Sequence, residues 1–201
     1  SAFKPLMEKN SNGQGMIWNT PFSQFVRGEI TLSKTWFLGK KSKQSIATRL
    51  QAGAGYAYGN STSLPFEKHF YAGGSNSMRG WQFRELGPGT FNNPDNLNIE
   101  RIGDIQLEFN LEYRFPVYRF IKGAIFTDIG NIWTMKDNET FTGGQFKFDT
   151  FYKQLAADAG LGIRLDFSFF VVRVDAAAPI VNPAYPEGDR WRISKLRFTD
   201  F

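Results

Sequence analysis

The chemistry open to this chain rests on one arginine and a few acids. Arg79 is the single charge in Gly73–Trp81, which reads GGSNSMRGW. A guanidinium is a rigid fork of donors that suits carboxylates. Buried, it must find acceptors or remain hydrated. Glu112 and Asp128 are the candidate acceptors, because both fall on the polar faces of consecutive alternating segments. The residues leave two readings open: Arg79 docked between two carboxylates, or Arg79 solvated on an outer loop. Enzyme constellations do not form. His69 is the sole histidine and there is no cysteine, so His-based metal sites, His-dependent triads, thiol chemistry and disulfides lack partners. No GxxxxGK[ST] phosphate loop is present. Glu108 and Glu112 lie on one face, but in a strand they stand ~13 Å apart, too far for a carboxylate dyad. No catalytic residue, metal ligand or cofactor is expected, and His69, set among aromatics, reads as structural.

The element that must position Arg79 is a loop of about residues 60–100. Gly73, Gly74 and Gly80 permit backbone angles that other residues resist. Gly87-Pro88-Gly89 reads as a tight turn. The stretch also carries Phe66, Phe70, Tyr71, Met78, Trp81 and Phe83, more apolar weight than a solvated linker holds. The expectation is a folded loop that packs against something and presents Arg79 to it.

Around this loop the chain alternates with period two. Six segments, at 22–38, 45–58, 104–115, 121–133, 154–167 and 169–178, read as strands. In the cleanest, Ile105, Leu107, Phe109, Leu111, Tyr113 and Phe115 oppose Asp104, Gln106, Glu108, Asn110, Glu112 and Arg114. Gly39–Lys43 and Pro116-Val117-Tyr118 read as turns, and Pro179, Pro183 and Pro186 as breaks after the sixth strand. Arg190–Phe201 alternates poorly and is left open as a seventh strand. Residues 1–20 read as a loop, with Trp18 an interfacial anchor or a stray exposed aromatic. Aromatic residues at 16%, with 20 glycines, fit an all-β class with many turns.

The polar faces bear full charges, among them Arg27, Glu29, Arg49, Glu108, Asp158, Arg164, Arg173 and Asp175; the opposite faces are nearly uncharged. A soluble antiparallel sheet could show this split. Three features favour an antiparallel transmembrane β-barrel. The strands reach the ~9–11 residues that tilted spanning strands need. Trp36, Tyr56, Tyr58, Phe115, Trp133 and Phe167 fall near strand ends, as in interface girdles. Both charge signs mix on the polar face, as suits a lumen. No run of ~18 apolar residues offers a spanning helix. No signal peptide opens the chain, which leaves a cytoplasmic protein and a processed or excised fragment both open. The net charge of +5 is interspersed, with no run beyond Lys40-Lys41-Ser42-Lys43, so no nucleic-acid partner is expected.

Three motifs carry a family resemblance. Phe70-Tyr71-Ala72-Gly73-Gly74-Ser75, then Met78-Arg79-Gly80-Trp81, then Leu86-Gly87-Pro88 resembles the barrel loop of the BamA superfamily of outer-membrane insertases and transporters, whose hallmark is an [VI]RG[FYW] tetrad. Met78 departs from the branched residue. Leu111-Glu112-Tyr113-Arg114-Phe115-Pro116 looks like the family's glutamate strand, and Phe126-Thr127-Asp128-Ile129-Gly130 with Trp133 like its F-x-D-x-G strand. Order and spacing agree over about residues 22–178. The stretch SNSMRGWQFRELGPG is most similar to BamA-like or TamL-like members from Bacteroidetes-type bacteria.

The resemblance implies a barrel of about 16 strands in the bacterial cell outer membrane. Residues 1–201 would be its C-terminal portion, six or seven strands without POTRA domains. The loop would enter the lumen, and Arg79 would meet Glu112 and Asp128. Ile193–Phe201 lacks the glycine-containing alternation of the family's closing strand, so the chain is expected to stop short of it. The implied function is assembly of β-barrel proteins into the outer membrane, without enzyme chemistry. The implied partners are unfolded barrel clients, outer-membrane lipids and accessory lipoproteins. Polypeptide export by a relative, a porin-like barrel and a soluble β binding module are the alternatives.

Overall fold

The alternating segments pair in the order in which they occur. The computed structural model describes residues 8–9, 13, 15–17, 20–39, 43–92, 99–137, 139–167 and 169–195. Its strands are β1 (Glu8–Lys9), β2 (Gly15–Ile17), β3 (Thr20–Pro21), β4 (Phe25–Phe37), β5 (Ser45–Ala57), β6 (Ile105–Tyr118), β7 (Ile121–Trp133), β8 (Ala156–Asp166) and β9 (Val171–Val181). β4 to β9 form one six-stranded antiparallel meander, and β1 to β3 a separate small sheet. The fold is all-β, with only short 3-10 turns as helical structure among the described residues.

The register sets the site. One cross-strand row runs Ser33, Arg49, Asn110, Asp128, Asp158, Pro179 through all six strands. The next holds Ala47, Glu112, Phe126, Gly160 and Ala177, and the one after it Ser45, Arg114, Ala124, Gly162 and Asp175. Because strand side chains alternate, all of these share one face. The described residues of the 58–104 connection lie over that face, and the hydrophobic core sits between loop and sheet: Phe70, Ala72, Met78, Trp81 and Leu86 pack with Ile132 and Ala156. The other face stays open, with Ile30 and Leu161 each 64% exposed and Val174 62% exposed. That apolar face is the lipid-facing side of a transmembrane barrel wall.

Several details differ from the sequence reading. β1 to β3 occupy part of the stretch expected to be loop. β6 runs through Pro116 to Tyr118, with a register shift between Pro116 and Tyr118, and the chain reverses at Arg119, whose φ is 44°. β9 continues past Pro179 to Val181, since that proline sits on an edge strand opposite a register shift at Ala157/Asp158. The possible seventh strand is a single bridge, Val181 to Trp191, followed by a 3-10 turn at Ile193–Lys195. Its residues 196–201 lie outside the described residues, as do Trp18 and Lys40–Ser42. Trp133 is not an interface residue. It is fully buried, edge-on to Phe146 and Phe151, with its indole N–H donated to Gln154 Oε1 at 2.6 Å.

Candidate functional site

The loop is built as a neck and a tip. Phe70 and Gly103 exchange two backbone hydrogen bonds of 2.8 Å, Ala72 bridges Leu86, and Gly74 N–H donates to Trp81 O at 2.8 Å. These contacts close the neck and fix residues 74–81 as a compact tip. Gly73 is needed at the closure: its φ is +108°, and a Cβ there would run into Gln82 O. Gly74 turns the same corner with φ +96°. Gly87, with φ +81°, lies against Asn131 and Ile132, and Pro88 is fully buried. Met78 and Trp81 face the core and are buried to 0% and 8% exposure. Gly80 does not need its conformational freedom, because its φ is not positive. It needs space: a Cβ would lie 2.6 Å from Asp158 Cβ and 3.1 Å from Pro179 N.

Between Met78 and Gly80, the Arg79 side chain drops onto the sheet. Its Nε and Nη2 donate to Asp128 Oδ2 and Oδ1, both at 2.8 Å. Nη1 donates to Glu112 Oε2 at 2.6 Å, and the Arg79 backbone N–H also reaches Asp128 Oδ2 at 3.2 Å. The guanidinium lies 3.4 Å from the Phe126 ring centroid, a cation–π contact. Arg79 keeps 7% side-chain exposure against 8% for Glu112 and 0% for Asp128. Arg79 is therefore not solvated. Burial works against its charge, yet Asp128 and Glu112 hold its pKa above the usual value.

The network extends beyond this trio. Glu112 also accepts from Arg114 Nε at 2.7 Å and Arg164 Nη2 at 2.9 Å. Arg164 pairs in turn with Asp175 of β9. Arg173 donates to Ser75 O at 2.5 Å and to Asn76 Oδ1 at 2.8 Å, and Arg49 donates to Asn76 O. Ser77 Oγ donates to Glu108 Oε1 at 2.6 Å, and Asn110 Nδ2 to Ser77 O at 2.9 Å. Gly80 N–H donates to Asp158 Oδ2 at 2.8 Å. Five residues of the tip, Ser75, Asn76, Ser77, Arg79 and Gly80, thus bond to every strand from β5 to β9. Arg49, Asp158, Arg173 and Asp175 were legible only as members of a polar face; no residue-type signal assigned them to the tip. His69 lies apart at the neck, with Nδ1 3.3 Å from Asp104 Oδ1. The arrangement holds a loop in place: Asp128 and Glu112 are already engaged by the chain's own donors.

Residues 11–195 match the Omp85 superfamily domain. A curated relative, outer membrane protein assembly factor BamA of Neisseria meningitidis serogroup B (strain ATCC BAA-335 / MC58), is 28% identical over 134 residues. That match covers 62% of this chain but only 17% of the relative. The fold is similar to the crystal structure of BamA from Haemophilus ducreyi lacking POTRA domains 1-3, with a TM-score of 0.63 and 19% identity. That similarity covers 83% of this chain and 33% of the solved one. With this domain match over nearly its whole length, the chain belongs to the Omp85 superfamily of outer-membrane β-barrel proteins.

Proposed function

We propose that this chain is the C-terminal portion of an outer-membrane protein assembly factor that inserts and folds β-barrel proteins in the bacterial outer membrane. In this reading the face under the loop is the lumen wall of a barrel of about 16 strands, and residues of about 60–100 form the lumen loop. POTRA domains and the earlier strands belong to the longer protein. Its partners are unfolded barrel clients, outer-membrane lipids and accessory lipoproteins. The work is done without covalent chemistry, by edge pairing of incoming strands at a weak seam. Met78, Arg79, Gly80 and Trp81, with Glu112 and Asp128, brace the wall so that the seam can open while the rest of the barrel keeps its shape. The observation that carries this reading is the guanidinium of Arg79, buried and shared between β6 and β7. The named activity of the Neisseria relative supports it.

A charge-swap cycle in the full-length parent tests it. Arg79→Glu is expected to abolish assembly of heat-modifiable barrels in the outer membrane, with partial recovery on adding Asp128→Arg or Glu112→Arg. Wild-type assembly by Arg79→Glu alone would overturn the bracing role. Depleting the parent separates assembly from export: a general fall in outer-membrane barrels supports assembly, whereas loss of one secreted polypeptide alone contradicts it.

A further inference from the structure

Asp158 has no place in the motif set, yet it is fully buried. It lies directly across from Asp128 in the β7–β8 ladder, and both side chains point at the loop tip. Asp128 takes the Arg79 fork, while Asp158 Oδ2 takes the next backbone N–H, that of Gly80, at 2.8 Å. Gly80 itself is wedged against Asp158 Cβ, Pro179 N and Ala178 C at 2.6, 3.1 and 3.2 Å from where its own Cβ would stand. Two adjacent residues of the tip are thus held by two adjacent acids, one through a side chain and one through the backbone. The backbone hydrogen bond reaches β8, a strand that Arg79 does not hydrogen-bond, and Gly80 packs against β9, which the Arg79 side chain meets only in a 3.8 Å ion pair with Asp175.

We propose that Asp158 is a second positioning residue of the tip: it accepts the Gly80 N–H and so seats the glycine of the Met78-Arg79-Gly80-Trp81 motif on β8, beside β9. This inference rests on the bracing role proposed for the loop. The seat is specific because a buried N–H needs an acceptor, and because only a residue without a Cβ can approach Asp158 so closely. The requirement is for an acceptor oxygen. Asparagine supplies one and turns an N–H₂ toward Asp128, whereas leucine, with the same branched shape, supplies none.

The test uses the full-length parent in its own outer membrane, with two readouts. One is the total of heat-modifiable β-barrel protein. The other is tryptic cleavage after Arg79 in the folded fraction of the parent, which reports whether the tip is seated. Asp158→Leu is expected to expose Arg79 to trypsin and to lower assembled barrel at least ten-fold. Asp158→Asn is expected to keep the tip protected and to retain more than half of the wild-type assembly. A protected tip and wild-type assembly in Asp158→Leu would overturn the proposal, as would equal defects in the Leu and Asn variants. Should Asp158→Leu give no folded barrel, Gly80→Ala carries the test from the loop side: a released tip with Arg79 still present supports the seat, and a protected tip overturns it. Arg79→Ala, which removes the tryptic site and is scored by assembled barrel alone, separates the two ideas. If it is silent, the bracing role fails; if it is defective while the Asp158 variants are silent, only the seat fails.

Discussion

The two faces of this sheet reverse the usual arrangement of a soluble protein. Under the loop, Asp128, Asp158 and Glu108 are fully buried and Arg164 is nearly so, and the stabilising contacts are ion pairs and hydrogen bonds to the tip. On the opposite face Ile30, Leu32, Ile125, Leu161, Ile163 and Val174 stand exposed, uncovered by the described residues. The same alternation generates both, since each strand sends successive side chains to opposite faces. The apolar face makes few demands on sequence beyond being apolar, because lipid packs against any smooth hydrocarbon. The covered face is particular residue by residue: each buried charge there needs a named partner, and removing one leaves the other stranded.

The contrast can be broken from either side. Arg79→Ala should have the largest effect, because Asp128 and Glu112 lose their shared donor. Stranding a buried ion-pair partner costs about 3–5 kcal/mol, to be read as a lower midpoint for loss of the heat-modifiable band in urea. Leu161→Arg attacks the other face at mid-strand. A cation on the lipid side there costs ~2–4 kcal/mol, seen as reduced insertion into vesicles, while Leu161→Phe should be accepted. Gly80→Ala overpacks the tip against β8 and β9 and should cost about 1–3 kcal/mol in the same urea titration. Lys122→Gln is expected to do least. Its 2.7 Å bond to Asp166 joins two side chains each 34% exposed, a pair worth ~0–1 kcal/mol. A loss there as large as that of Arg79→Ala would mean that the covered face is organised by net charge and not by individual pairs.

How far the sequence could be read follows from the same contrast. The strands and the two faces were open to reading because period two records which side each residue faces. Asp104–Phe115 alternates without a break, and β6 follows it. Charge type named Glu112 and Asp128 as candidate partners for Arg79 but left it docked or solvated, and the motif resemblance was what implied docking. The Gly80–Asp158 contact could not be read, since a backbone N–H leaves no mark in residue type and a glycine needed for space looks like one needed for φ. Pro179 reads as a stop because proline lacks a ladder donor, but at an edge beside a register shift that donor is not required. Trp133 sits at a strand end on the apolar side, and only the fold of residues 141–154 shows that Phe146 and Phe151 bury it.

The tip's contacts from β5 to β9 have a kinetic consequence. The full set of these bonds cannot form until all five strands are paired, so complete docking of the tip is the closing event of folding for this part of the wall. Interactions that form after the transition state slow unfolding and leave the folding rate nearly unchanged. The loop is therefore a latch on lifetime: strand pairing sets how fast the wall forms, and the seated arginine sets how long it lasts.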